Sequence, residues 1–162
     1  MADDRLTALL AELDAARGAF LAALADVDAE LVTVPGVMED WSVRDLVVHV
    51  AAWAEHGTDA LALAIAGRGD EFAYSGDQTD AMNVEFLAQG RETSPRDALK
   101  REERAFAAFR ERIGSLDTSA LTHRLGNGDT AEEVILYDGA HHYAEHTAHL
   151  RAWFGADDDE IG

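Results

Sequence analysis

Apolar residues recur at three- and four-residue steps along most of this chain, the spacing of amphipathic helices rather than strands. From about Asp3 to Asp28, Leu6, Leu9, Leu13, Ala16, Phe20, Leu24 and Val27 form one stripe, and Ala, Arg, Asp and Glu fill the opposite face. The stripe stops at Thr33-Val34-Pro35-Gly36-Val37, where proline removes an amide donor and glycine permits positive φ. A second helix opens at Ser42, a good N-cap, with Asp45 placed to return the hydrogen bond in a capping box. It runs to about Ala66, ahead of Gly67. Leu46, Val50, Trp53, Ala60 and Leu63 make its core stripe, with His49 at one margin and His56 two turns later on nearly the same line.

Gly67 to Asp80 shows no period and predicts a long connection, a candidate lid. A short helical stretch from Thr79 to about Gln89 presents Met82, Phe86 and Leu87, with Asn83 beside them. Ser94-Pro95 starts a third long helix, with Leu99, Phe106, Phe109 and Ile113 on its buried face. Arg101, Glu102, Arg104, Arg110, Glu111 and Arg112 supply its solvated surface. Turn glycines follow at Gly126 and Gly128, a small excursion over one end of the molecule. Thr130 and Glu133 then form a second capping box, and the fourth helix is expected to continue unbroken to Phe154. The predicted fold is all-α: a four-helix bundle with a long crossover connection, one domain over residues 1–155. The acidic residues 156–162 are expected to form a disordered tail.

The last helix holds four of the seven histidines. At about 100° per residue, His142, His146 and His149 share a face with Ile135, Asp138 and Trp153, while His141, Ala144 and Arg151 point away. These imidazoles therefore fall inside the apolar stripe. Buried polar groups need partners, and a divalent metal satisfies two neutral imidazoles one turn apart. The alternative is a pair of core histidines bonded to carboxylates or carbonyls. His49 on the second helix supplies a third nitrogen, and a set of three neutral histidines suits zinc, nickel or iron(II) with a position left open. Asp138 could orient a ligand histidine. Glu145, at the margin of the buried face, could take a proton from a bound water or thiol. Trp53, His56, Tyr74, Asn83, Tyr143 and His149 are the expected pocket residues, whereas His123 and His141 are bystanders. Trp41, Trp53 and Trp153 are first of all core residues.

The chain has 32 acidic and 13 basic residues, a formal charge of −19, which disfavours nucleic acid and anionic membrane surfaces as partners. It has no cysteine, so thiol chemistry must use an external thiol. No apolar run approaches the length of a membrane span, and the start lacks signal-peptide character, so a cytoplasmic protein is the expectation.

Trp41-Ser42-Val43-Arg44-Asp45-Leu46-Val47-Val48-His49-Val50-Ala51-Ala52-Trp53, the Asp80-x-x-Asn83 region and His142-Tyr143-Ala144-Glu145-His146 resemble the DinB-like four-helix bundle superfamily. Within it the chain is similar to ClbS/DfsB-like proteins and to mycothiol-dependent maleylpyruvate isomerase-like proteins, from about Leu6 to Phe154. The resemblance implies a divalent metal on His49, His142 and His146. It also implies chemistry on electrophilic small molecules: hydrolysis or thiol transfer in detoxification or self-resistance, with a low-molecular-weight thiol such as mycothiol. Kinship with ClbS implies instead a metal-independent hydrolase. A non-catalytic protein that sequesters a small molecule is the other alternative. A homodimer would be unsurprising for such a bundle.

Overall fold

A computed structural model describes residues 2–73 and 76–154. Its helices are α1 (Ala2–Ala25), α2 (Val43–Ile65), α3 (Gly76–Glu92), α4 (Pro95–Gly114), α5 (Ala131–Ile135) and α6 (His141–Phe154). A single π-helical turn, Leu136–Ala140, joins α5 to α6. The protein is an all-α bundle in which α2 packs along α4 and α3, and α1 lies along α6. Among the described residues no helix is long and apolar enough to cross a membrane. Tyr74 and the acidic residues 156–162 lie outside the described residues.

Helix starts follow the local chemistry of the sequence. Ser42 Oγ accepts from the Asp45 amide while the Asp45 carboxylate accepts from the Ser42 amide, and Thr130 and Glu133 repeat the same exchange at α5. Ser94 caps α4 ahead of Pro95. The core joins Leu9, Leu13 and Phe20 of α1, Leu46 and Leu61 of α2, Phe109 and Ile113 of α4, and Tyr143 and Leu150 of α6. Each such side chain stabilises the fold by roughly 1.5–3 kcal/mol.

Several expectations are corrected. The last helix is not continuous: Gly139 leaves helical geometry at φ −116°, ψ −109°. The ring of Phe109 occupies the space a side chain there would need, lying 3.0 Å from the Cβ position of Gly139 and 2.8 Å from that of Gly57. α3 begins earlier and ends later than Thr79 to Gln89. The stretch after Gly67 is not a free lid over its described part. Gly69–Glu71 forms a 3-10 turn, and Phe72 is buried in a small cluster with Ala60, Ala64, Leu125 and Val134. Leu99 is 48% exposed rather than buried, and Trp153 is 43% exposed, its ring lying over Gly36 at the rim instead of entering the core.

Glu102, expected on the solvated face of α4, is fully buried. Its oxygens accept two hydrogen bonds from Arg17 (2.8 and 2.9 Å) and one from the Tyr143 hydroxyl (2.7 Å), tying α1, α4 and α6 together. The Arg17 guanidinium also stacks 4.2 Å from the Phe106 ring. Removing one member of a buried charge pair leaves the other uncompensated. Glu102→Ala is therefore expected to lower unfolding free energy by roughly 3 kcal/mol. Glu102→Gln should cost less, because its amide oxygen still accepts from Tyr143, and urea unfolding of both variants checks the order.

Candidate metal centre

The capping box at Ser42 sets where α2 begins, and two turns further on His49 is buried with the Trp41 ring edge-on at 4.8 Å. On α6, His142 and His146 project one turn apart toward it. His142 Nε2 lies 2.9 Å from His49 Nε2 and 2.9 Å from His146 Nε2. The three ligand nitrogens all fall within 4.8 Å of one another.

Hydrogen bonding alone does not explain this convergence. A neutral imidazole nitrogen either donates one proton or accepts through one lone pair. His142 Nε2 therefore cannot donate to both neighbours, nor offer each a lone pair of its own. In addition, His49 Nδ1 and His142 Nδ1 are buried with no hydrogen-bond partner among the described residues. Three nitrogens about 2.1 Å from one ion lie about 3.0 Å apart at right angles and about 3.4 Å apart at the tetrahedral angle. The 2.9 Å from His142 Nε2 to each neighbour is close to the separation of adjacent donors on one cation.

Burial also keeps the rings in the form a metal requires. It pushes His49 down to about 4 and His142 down to about 3, the latter helped by the charge of His49. His146 is lowered further, by burial and then by His142, His49 and His149. Burial thus favours the neutral form at pH 7, in which a ring nitrogen can offer its lone pair to a metal.

These histidines line a pocket of about 390 Å³, whose wall is completed by Met38, Trp53, Thr79, Asn83, Tyr137, Asp138 and Glu145. Trp53 Nε1 donates to Asn83 Oδ1 at 2.8 Å, pinning α3 against α2. Glu145 is exposed and borders the opening. His56 is half-buried beyond Trp53, its ring 4.9 Å from the Trp53 ring and 4.8 Å from Phe72.

Two assignments change. Tyr143 does not line the pocket; it is fully buried in the core beside the histidine face of α6, bonded to Glu102. Asp138 does not orient His142, whose Nδ1 has no partner; its carboxylate instead faces His56, Oδ2 lying 3.6 Å from Nδ1. The neighbour that can orient a ligand histidine is His149: its Nδ1 lies 3.2 Å from His146 Nδ1, so it can hold the His146 proton there and leave Nε2 to face the centre. Sequence reasoning missed Glu102, because a single glutamate in an Arg/Glu-rich helix carries no signal of burial.

The model of the mycothiol maleylpyruvate isomerase N-terminal domain family matches residues 13–152, from within α1 through most of α6. This chain belongs to that family. The bundle is DinB-like, as the motifs on α2 and α6 suggest. No curated protein matches the chain. The crystal structure of an uncharacterised protein from Escherichia coli UTI89 shares the fold, at 19% identity over 94% of each chain with a TM-score of 0.79.

Two outcomes follow for this mycothiol maleylpyruvate isomerase-type domain. His149→Ala should weaken zinc binding about 10- to 100-fold, measured by competition with a chelating dye. The metal-free protein should lose stability as pH falls from about 6.5. Unfolded histidines take up protons at their ordinary value of 6.5, whereas folded His49 stays neutral to about 4 and His142 to about 3. Urea midpoints at pH 7.5 and 5 should therefore differ, and differ less in His142→Gln.

Proposed function

We propose that this domain brings an external nucleophile, a low-molecular-weight thiol such as mycothiol, to an electrophilic metabolite or natural product, as a detoxification or self-resistance enzyme. The observation that carries the reading is the convergence of three neutral Nε2 atoms at an open pocket. The chain has no cysteine, so a thiol nucleophile must come from outside, and the family is named for mycothiol. A zinc, nickel or iron(II) ion held by His49, His142 and His146 would stabilise the anion of a thiol or water at its open position.

The chain's own residues supply the rest. The buried Trp41 ring, edge-on to His49, shields that side of the histidine cluster from bulk water. A pocket near 390 Å³ suits a small organic molecule rather than a macromolecule. Met38, Trp53 and Tyr137 give it apolar walls, and the Trp53–Asn83 bond holds α3 in place as one side of it. The nucleophile must also lose a proton, and two carboxylates border the pocket, Asp138 and Glu145.

Protein purified without a histidine tag should carry about one equivalent of divalent metal, lost in His142→Ala. Loaded protein should then consume a reactive electrophile such as 1-chloro-2,4-dinitrobenzene only when mycothiol is added. Thiol-independent consumption would replace thiol transfer with hydrolysis. Stoichiometric capture without turnover would make the domain a sequestering protein.

A further inference from the structure

Asp138 is the buried carboxylate that the three-histidine cluster does not use. The π-helical turn Leu136–Ala140 carries it, and it borders the same pocket as His142 one turn later. Its oxygens are outside the set of ligand atoms that converge on one point, so it flanks the centre rather than joining it. Two glycines make its position accessible. Gly57 lets α2 approach so closely that a Cβ there would lie 3.2 Å from Asp138 Cβ, and Gly139 admits the break that follows.

A carboxylate in this environment needs a reason to stay buried. The titratable groups nearest it are His56 of α2, at 3.6 Å, and Asp129 of the turn before α5. The pocket adds His49, His142, His146 and the exposed Glu145. Burial raises the basicity of Asp138, and Asp129 adds to the rise, while the bond to and charge of His56 oppose it. Such a group accepts a proton more readily than an exposed carboxylate.

Resting on the thiol reading above, we propose that Asp138, positioned by His56, is the proton acceptor of the site and that Glu145 is not. In this step the S–H bond of a thiol entering the open side of the histidine cluster breaks. The electron pair stays on sulfur, and the proton passes to an Asp138 carboxylate oxygen. The sulfur is then the nucleophile for the electrophilic substrate. His56 acts through Asp138 and is a positioning residue.

The test uses the full chain loaded with zinc or cobalt(II), and N-acetylcysteine as the probe thiol. Thiol entry is read from the sulfur-to-cobalt charge-transfer band, and proton release from an indicator dye at pH 7. In the wild type the band should form with little proton release, and the carboxyl carbon of ¹³C-labelled Asp138 should move toward its protonated position. Asp138→Asn should bind metal normally, release about one proton per thiol, and bind thiol roughly tenfold more weakly at pH 7. His56→Gln should shift the pH midpoint of thiol entry, whereas Glu145→Gln should leave it unchanged. A band with the same proton count in the wild type and Asp138→Asn overturns the assignment, as does an unmoved Asp138 carbon in the wild type. So does a changed proton count in Glu145→Gln alone. Absence of the band in wild-type protein overturns the thiol reading itself, and the acceptor role with it.

Discussion

The Glu102 carboxylate holds the bundle in the one arrangement that gathers the histidines. It is buried on α4, where it needs cationic and hydroxyl donors, and it finds them on two other helices: Arg17 of α1 and Tyr143 of α6. A rotation of α6 would pull the Tyr143 hydroxyl away and leave a buried charge short of a partner. Burial and the neighbouring Glu102 charge push the Tyr143 hydroxyl far above its ordinary value, so it remains a donor. Tyr143 precedes His146 by three residues and follows His142 directly. Fixing the tyrosine against the core therefore helps set the rotation of α6 that turns both histidines toward α2, so a polar contact on one flank of the helix bears on the geometry of the next.

The second constraint is the seat of Phe109. Its ring fills the space left by Gly57 on α2 and Gly139 between α5 and α6. A continuous helix from Thr130 to Phe154 would carry a uniform phase along its length. The π-helical turn interrupts that phase just before His141, and the residues on either side acquire separate orientations. Asp138, ahead of the break, faces His56, and His142, beyond it, faces His49. One aromatic side chain on α4 thereby separates the carboxylate from the imidazoles while keeping both at one pocket.

The helices and caps were legible because they depend on local chemistry. The Ser42–Asp45 and Thr130–Glu133 boxes and the Ser94-Pro95 start are written in adjacent residues and form as read. The grouping of His49, His142 and His146 was also readable, since helical periodicity puts His142 and His146 on one face and His49 at the margin of a core stripe. Contacts between distant segments were not. Nothing in the local sequence marks Glu102 among the charges of α4 as the buried one, because its partners are 85 residues before it and 41 after it. Gly139 reads as an ordinary weak point in a helix until Phe109 is placed against it. Trp153 falls on the apolar side of an ideal wheel, yet the helix outlasts the core at that end and leaves the ring at the rim over Gly36.

The character of the proposed ligand set would give the carboxylate's exclusion chemical weight. Three neutral imidazoles reduce none of a divalent cation's formal charge, so its full pull is available to an incoming anion. Were Asp138 among the ligands, its negative charge would offset part of that pull and its lone pairs would be committed. Kept to one side, it would still lower the cost of placing positive charge in a buried pocket, and its lone pairs would stay open to a proton. The formal charge of −19 contributes little at this distance, because exposed charges are largely screened beyond about 8 Å at physiological salt. The electrostatics of the pocket are therefore local, set by which of its few ionisable groups point inward and which are held back.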